Sequence, residues 1–186
     1  MNEPTGHTRR PTGRERRGLL IVNTGMGKGK TTAALGTLTR AWGRGMRVCV
    51  FQFLKHSTGN WGEVRALKKM GIPLTTRGAG FTWLSKDLDH DRALAASCWE
   101  SASEEILHGD ADVILLDEFT YPLHYEWIAT ADALDVLRRR PSARHVIITG
   151  RHAPAALVEA ADLVTEMTKV KHPYDHNIGA QPGIEF

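Results

Sequence analysis

The 186-residue chain has no apolar run approaching the roughly 18 to 20 residues that a membrane-spanning helix needs, and its N-terminus is polar and Arg-rich where a secretory leader would be apolar. A soluble, cytoplasmic protein with no membrane partner is expected. Cysteine is nearly absent. Cys49 lies in an apolar strand-like run and Cys98 in a helix-like run, neither in a paired C-x-x-C arrangement, so both read as ordinary buried thiols. A basic surface is missing as well, despite a pI of about 9.0. The excess resides in Arg9, Arg10, Arg14, Arg16 and Arg17, set against Glu3 and Glu15, and charges after residue 18 balance. That balance argues against nucleic acid as the partner.

Residues 1–17 hold Pro4, Gly6, Pro11, Gly13 and the arginines, with almost nothing to bury, and are read as a flexible basic N-terminal arm. Residues 18–186 suit one domain with one core. Within them, apolar runs alternate with helical patterns. Strands are predicted at Gly18 to Val22, Met46 to Leu54, Pro73 to Thr76, Val113 to Leu116, His145 to Thr149 and Leu163 to Thr165. Helices are predicted at Thr31 to Trp42, Gly62 to Met70, Asp87 to Leu107, along Trp127, Ala131, Leu134 and Leu137, and at Pro154 to Ala160. Continuous apolar strands joined by helices indicate an α/β fold with a mostly parallel sheet covered on both faces, of the P-loop (RecA-like) kind. Ligands of such sheets bind at the carboxyl ends of the strands.

Directly after the first strand stands Thr24-Gly25-Met26-Gly27-Lys28-Gly29-Lys30-Thr31-Thr32, followed by a helix. Its glycines let backbone N–H groups converge on an anion, and the helix dipole adds positive potential. Lys30 can neutralise phosphate charge, and the Thr31 hydroxyl can ligate magnesium. Lys28 either helps or points to solvent. The pattern's usual first glycine is Thr24 here, a departure from the general form. The strand Val113 to Leu116 ends in Asp117-Glu118, where a nucleotide-bound magnesium needs a carboxylate; an acidic pair there also suits a solvated loop start, and the upstream cradle favours the metal. Arg151, after Thr149-Gly150, can reach phosphate or a substrate carboxylate, or stand exposed. Lys55, Asn60, Tyr121 and His172 are further candidate contacts. His172 and His176 are four apart, but Pro173 interrupts the helix a shared zinc ion would require. From spacing alone, Phe81 and Trp83 in their Gly-rich loop fit either core packing or a partner surface.

After the arm, nearly the whole chain resembles the P-loop ATP:corrinoid (cob(I)alamin) adenosyltransferases of the CobA type. The resemblance rests on Gly25 to Thr31, Gln52-Phe53-Leu54-Lys55, Gly80-Phe81-Thr82-Trp83, Leu115-Leu116-Asp117-Glu118, Thr149-Gly150-Arg151 and Ala180-Gln181-Pro182-Gly183-Ile184-Glu185-Phe186. The cradle is common to many families, whereas Gly-Phe-Thr-Trp and the Gly-Ile-Glu-Phe ending are specific. The resemblance implies transfer of the 5′-deoxyadenosyl group of ATP to the Co(I) of a corrinoid with release of triphosphate, in adenosylcobalamin synthesis or salvage. It implies ATP contacts from Gly25, Met26, Gly27, Lys28, Gly29, Lys30, Thr31, Thr32 and Arg151, catalytic roles for Lys30, Thr31 and Glu118, and magnesium held by Thr31, Glu118 and Asp117. It further implies that Phe81 and Trp83 face the corrinoid and displace its lower axial ligand, easing reduction of Co(II). An electron donor such as a reduced flavoprotein and a homodimer belong to the same expectation. The rival classes are an ATPase or small-molecule kinase that releases ADP, and a nucleic-acid-binding module working through the arm.

Overall fold

A computed structural model describes residues 15–54, 61–78 and 88–185. Six strands, β1 (Leu20–Thr24), β2 (Val48–Phe53), β3 (Leu74–Arg77), β4 (Val113–Asp117), β5 (His145–Thr149) and β6 (Leu163–Glu166), form one sheet in the order β3-β2-β4-β5-β1-β6. Every neighbouring pair is parallel, so the expected mostly parallel sheet is wholly parallel. The connecting helices are α1 (Lys30–Trp42), α2 (Gly62–Lys69), α3 (Leu88–His108), α4 (Thr120–His124), α5 (Thr130–Arg139) and α6 (Ala155–Ala160).

Side chains alternate across a strand, and here the alternation divides the core in two. Ile114 and Leu116 of β4, with Phe51, Phe53, Val146 and Ile148, pack against Cys98, Ala102 and Ile106 of α3 and Leu134 and Leu137 of α5. Val113 and Leu115, with Val48, Val50 and Ile147, pack against Ala34 and Leu38 of α1 and Leu67 of α2. All six residues of β2 are buried, which explains the unbroken apolar character of that run. One buried side chain departs from it: Gln52 is 1% exposed.

Two local features differ from expectation. Helix α4 contains Pro122 at its third residue, inside the first turn, where a backbone N–H has no helical acceptor and a proline costs little. The helix expected from Trp127 begins instead at Thr130, because the Trp127 and Ile128 amides donate to the Pro122 carbonyl at 2.9 and 3.2 Å and fold the chain back onto α4. At the far edge of the sheet, the buried Arg144 guanidinium donates to the carbonyls of Ala111, Glu105 and Ile106 at 2.9, 2.7 and 2.6 Å, supplying partners for the last turn of α3. Arg17 pairs with Asp162, and the Leu20 amide donates to the same carboxylate at 2.9 Å, where the chain enters β1. Among the described residues no helix is long and apolar enough to cross a membrane.

Burial pushes the thiols of Cys49 and Cys98 up to about 12. At neutral pH both stay protonated and unreactive. An aromatic disulfide reagent should therefore label neither cysteine in the native protein and both after denaturation; rapid labelling of the native fold contradicts this packing.

Candidate active site

Because the strands run one way, β1, β4, β5 and β6 all deliver their carboxyl ends to the same edge of the sheet. The loop after β1 turns at Gly25 and Gly29, whose φ angles are 95° and 107°, a region that an L side chain enters only at a cost. Gly29 then caps α1 without any side-chain hydrogen bond, and no acidic residue stands in the first turn, so the helix presents its leading N–H groups to a ligand rather than to its own cap. Lys30 is 9% exposed, and its ammonium donates to the carbonyls of Gly25 at 2.9 Å and Gly27 at 2.7 Å. Burial lowers its pKa; Arg151 acts in the same direction and Glu118 opposes it.

The acids of β4 occupy different places. Asp117 is fully buried. Its Oδ1 accepts from the Thr31 and Thr149 hydroxyls, each at 2.7 Å, and its Oδ2 accepts from the Gln52 amide at 3.3 Å. Gln52 in turn accepts from the Thr76 hydroxyl at 3.2 Å. Glu118 adopts a left-handed backbone, φ 62°, and its amide donates to the Thr149 hydroxyl at 2.9 Å. That turn carries Glu118 into the cleft while Asp117 stays behind it.

The cleft has a volume of about 560 Å³. Gly27, Lys28, Gly29, Lys30, Thr31 and Thr32 form its floor, Glu118, Tyr121 and Arg151 one wall, Trp61, Gly62 and Glu63 another, and Gly183, Ile184 and Glu185 the third. Burial, with Glu118 adding to it, raises the Tyr121 phenol, which therefore remains a donor at neutral pH. Lys28, left open between a phosphate role and solvent, pairs with Glu185 at 2.8 Å. Gly25 and Met26 do not line the cleft; Gly25 acts through its carbonyl, and Met26 is exposed. Thr24, the departure from the usual pattern, is buried, and its hydroxyl accepts from the Ala153 amide at 3.4 Å. His172 lies outside the cleft and accepts from the Tyr174 amide at 3.1 Å, opening a short 3-10 turn at Pro173–His176. Phe81, Trp83, Lys55 and Asn60 lie outside the described residues.

Two contributions stand outside the candidate site residues read from the sequence. Gln52 had a signal, a lone polar residue in an apolar strand. The segment after β6 had none: the Gly27 amide donates to the Met167 carbonyl at 2.6 Å, and the Met167 amide donates to the Thr24 carbonyl at 2.8 Å. This backbone lies so close that a Cβ on Gly27 would stand 2.7 Å from the carbonyl carbon of Thr168.

The family described as ATP:corrinoid adenosyltransferase BtuR/CobO/CobP matches residues 16–186. This chain belongs to that family. It is similar to the corrinoid adenosyltransferase of Escherichia coli (strain K12), at 40% identity over 92% of this chain and 87% of that protein. It is 41% identical to a corrinoid adenosyltransferase of Sinorhizobium sp, over 92% of this chain and 82% of that protein. With the corrinoid adenosyltransferase CobA of Salmonella typhimurium the identity is 38%, over 92% and 87%. Membership of the ATP:corrinoid adenosyltransferases makes ATP and a corrinoid the substrates, and the phosphate cradle on the cleft floor is the part that suits ATP.

Placing a methyl group on Gly27 should force the cradle and the Met167–Thr168 backbone apart at a cost of about 1–3 kcal/mol. Gly27→Ala should accordingly melt earlier and bind ATP at least roughly tenfold more weakly by calorimetry. Gly36→Ala, inside α1 where a Cβ meets nothing within 4 Å, should be neutral or stabilising by about 0.5–1 kcal/mol.

Proposed function

We propose that this protein transfers the 5′-deoxyadenosyl group of ATP to the Co(I) of a corrinoid, in adenosylcobalamin synthesis or salvage. The observation that carries the reading is family membership over residues 16–186 joined to a cleft whose floor is a phosphate cradle. In the reaction an electron pair of Co(I) attacks C5′ of the ribose, the C5′–O bond breaks, and the whole triphosphate leaves with that bonding pair. Cobalt ends two electrons more oxidised. No proton has to be removed from a nucleophile, which fits a cleft with no Ser/His or Cys/His pair among the described residues of its walls.

The chain's task is then electrostatic. The departing triphosphate is met by the N–H groups at the start of α1, by the Lys30 ammonium and by the Arg151 guanidinium. Thr31 and Glu118 bring hard oxygen donors to the cleft, with Asp117 behind Thr31 accepting its proton, a chemistry that suits magnesium, which takes one or two carboxylates and completes its shell with phosphate and water. Bound there, magnesium would supply further positive charge to the leaving group.

Phe81 and Trp83 are assigned to the corrinoid on the strength of the Gly-Phe-Thr-Trp motif. A reduced flavoprotein or comparable donor is required to supply Co(I). The homodimer is supported by exposed apolar side chains: Leu163 on edge strand β6 is 49% exposed, Val170 95% and Ile178 52%. A cytoplasmic location accords with the free thiols of Cys49 and Cys98.

Incubation with ATP, magnesium and chemically reduced corrinoid should yield a light-sensitive adenosylated product in the optical spectrum and tripolyphosphate by phosphate analysis. ADP with no adenosylated corrinoid would sink the reading. The lowered Lys30 pKa adds a pH signature: the ammonium binds phosphate only while protonated, so ATP affinity should be level at neutral pH and fall, as pH rises, earlier than the ordinary lysine value of 10.5. Lys30→Arg should move that fall to higher pH, whereas Lys30→Ala should abolish it and leave binding weak throughout.

A further inference from the structure

The strand that separates the cradle strand from the acidic strand is β5, and it ends in Thr149. Thr149 is fully buried, and its single hydroxyl does two things. It donates its proton to Asp117 Oδ1 at 2.7 Å, and its oxygen accepts the Glu118 amide at 2.9 Å. Both acids of the β4 terminus are thus set from one atom.

The consequences differ for the two. On Asp117, Thr149 and Gln52 engage the two carboxylate oxygens from neighbouring strands, fixing the plane of the group so that Oδ1 also receives the Thr31 proton. A threonine has only one O–H; with it committed to Asp117, the Thr31 oxygen has its lone pairs left for a cation in the cleft. On Glu118, the hydroxyl satisfies an amide at a residue whose backbone is left-handed, φ 62°. Such a backbone costs about 1–3 kcal/mol and persists only when its surroundings fix it. A second hydroxyl repeats the stitch one step further on, Thr120 donating to the Arg151 carbonyl at 2.5 Å.

We infer that Thr149 is a positioning residue for the cation that accompanies ATP, dividing the acid pair so that Asp117 takes the Thr31 proton and Glu118 faces the cleft. Gln52 is its counterpart from β2. This rests on the proposed magnesium site, and it assigns the geometry of that site to two residues outside the cleft. The inference separates Thr149 from a purely structural threonine: its loss should weaken the cation's effect on ATP binding far more than ATP binding without cation.

The test measures ATP affinity by calorimetry while Mg2+ is titrated, and Mn2+ binding in the presence of ATP by electron paramagnetic resonance, on the full chain. Thr149→Val keeps shape and removes the hydroxyl. It should raise the Mg2+ concentration for half-maximal tightening roughly tenfold, the scale of one lost hydrogen bond to a charged group, with ATP affinity in chelator unchanged. Thr149→Ser should restore the wild-type dependence. If Thr149→Val does not fold, Gln52→Met serves, with a shift of the same sign. A folded Thr149→Val, or in its absence a folded Gln52→Met, whose Mg2+ and Mn2+ dependence stays within twofold of wild type overturns the inference while leaving the metal reading intact. A wild-type protein whose ATP affinity ignores Mg2+ and Mn2+ altogether overturns both.

Discussion

A carboxylate with no access to water has to be compensated by the protein that buries it, and Asp117 is such a group. Its compensation comes from Thr31 of α1, Thr149 of β5 and Gln52 of β2, with Thr76 of β3 behind Gln52. The network crosses most of the sheet at its carboxyl edge and joins the phosphate loop to the acidic strand. Neighbouring strands in an all-parallel sheet bring these side chains to one level. An antiparallel arrangement would send alternate strand ends to the opposite edge and leave the charge unpaired.

Much of this architecture could be read from residue order. The apolar runs read as ending at Val22, Leu116 and Thr149 placed three strand ends to within two residues of those observed, and the Gly-rich loop with Lys30 and Thr31 placed the ligand. What could not be read was contact between distant parts of the chain. Nothing in the local pattern around Met167 and Thr168 marks them as the backing of the cradle, because they act through backbone atoms that every residue carries. Likewise the pairing of Lys28 with Glu185 joins residues whose nearness follows only from the tertiary fold. Gln52 was legible as an anomaly in an apolar strand, yet its partner Asp117 follows only from the strand order. Helix α4 hid behind Pro122, a residue that reads as a breaker unless its place in the first turn is known.

The two acids show how the chemistry of side chains depends on backbone shape. In an uninterrupted strand, consecutive side chains point to opposite faces. Asp117 obeys that rule and turns toward Thr31; Glu118 leaves the strand through a left-handed turn and reaches the cleft wall. Beneath them Phe119 is fully buried, its ring 4.9 Å from that of Phe53 and 4.7 Å from that of Trp99, so the turn stands on packed aromatic rings. Rigidity there is useful, since charge stabilisation works best when the stabilising groups need not move.

The backing of residues 25–27 by Met167 and Thr168, and the third cleft wall from Gly183 to Glu185, have a consequence for the order in which the protein is made. The phosphate loop leaves the ribosome well before strand β6 and the segments that complete the cleft. A nascent chain therefore carries a recognisable nucleotide motif long before it has a nucleotide site, and is spared from holding ATP on a half-built sheet.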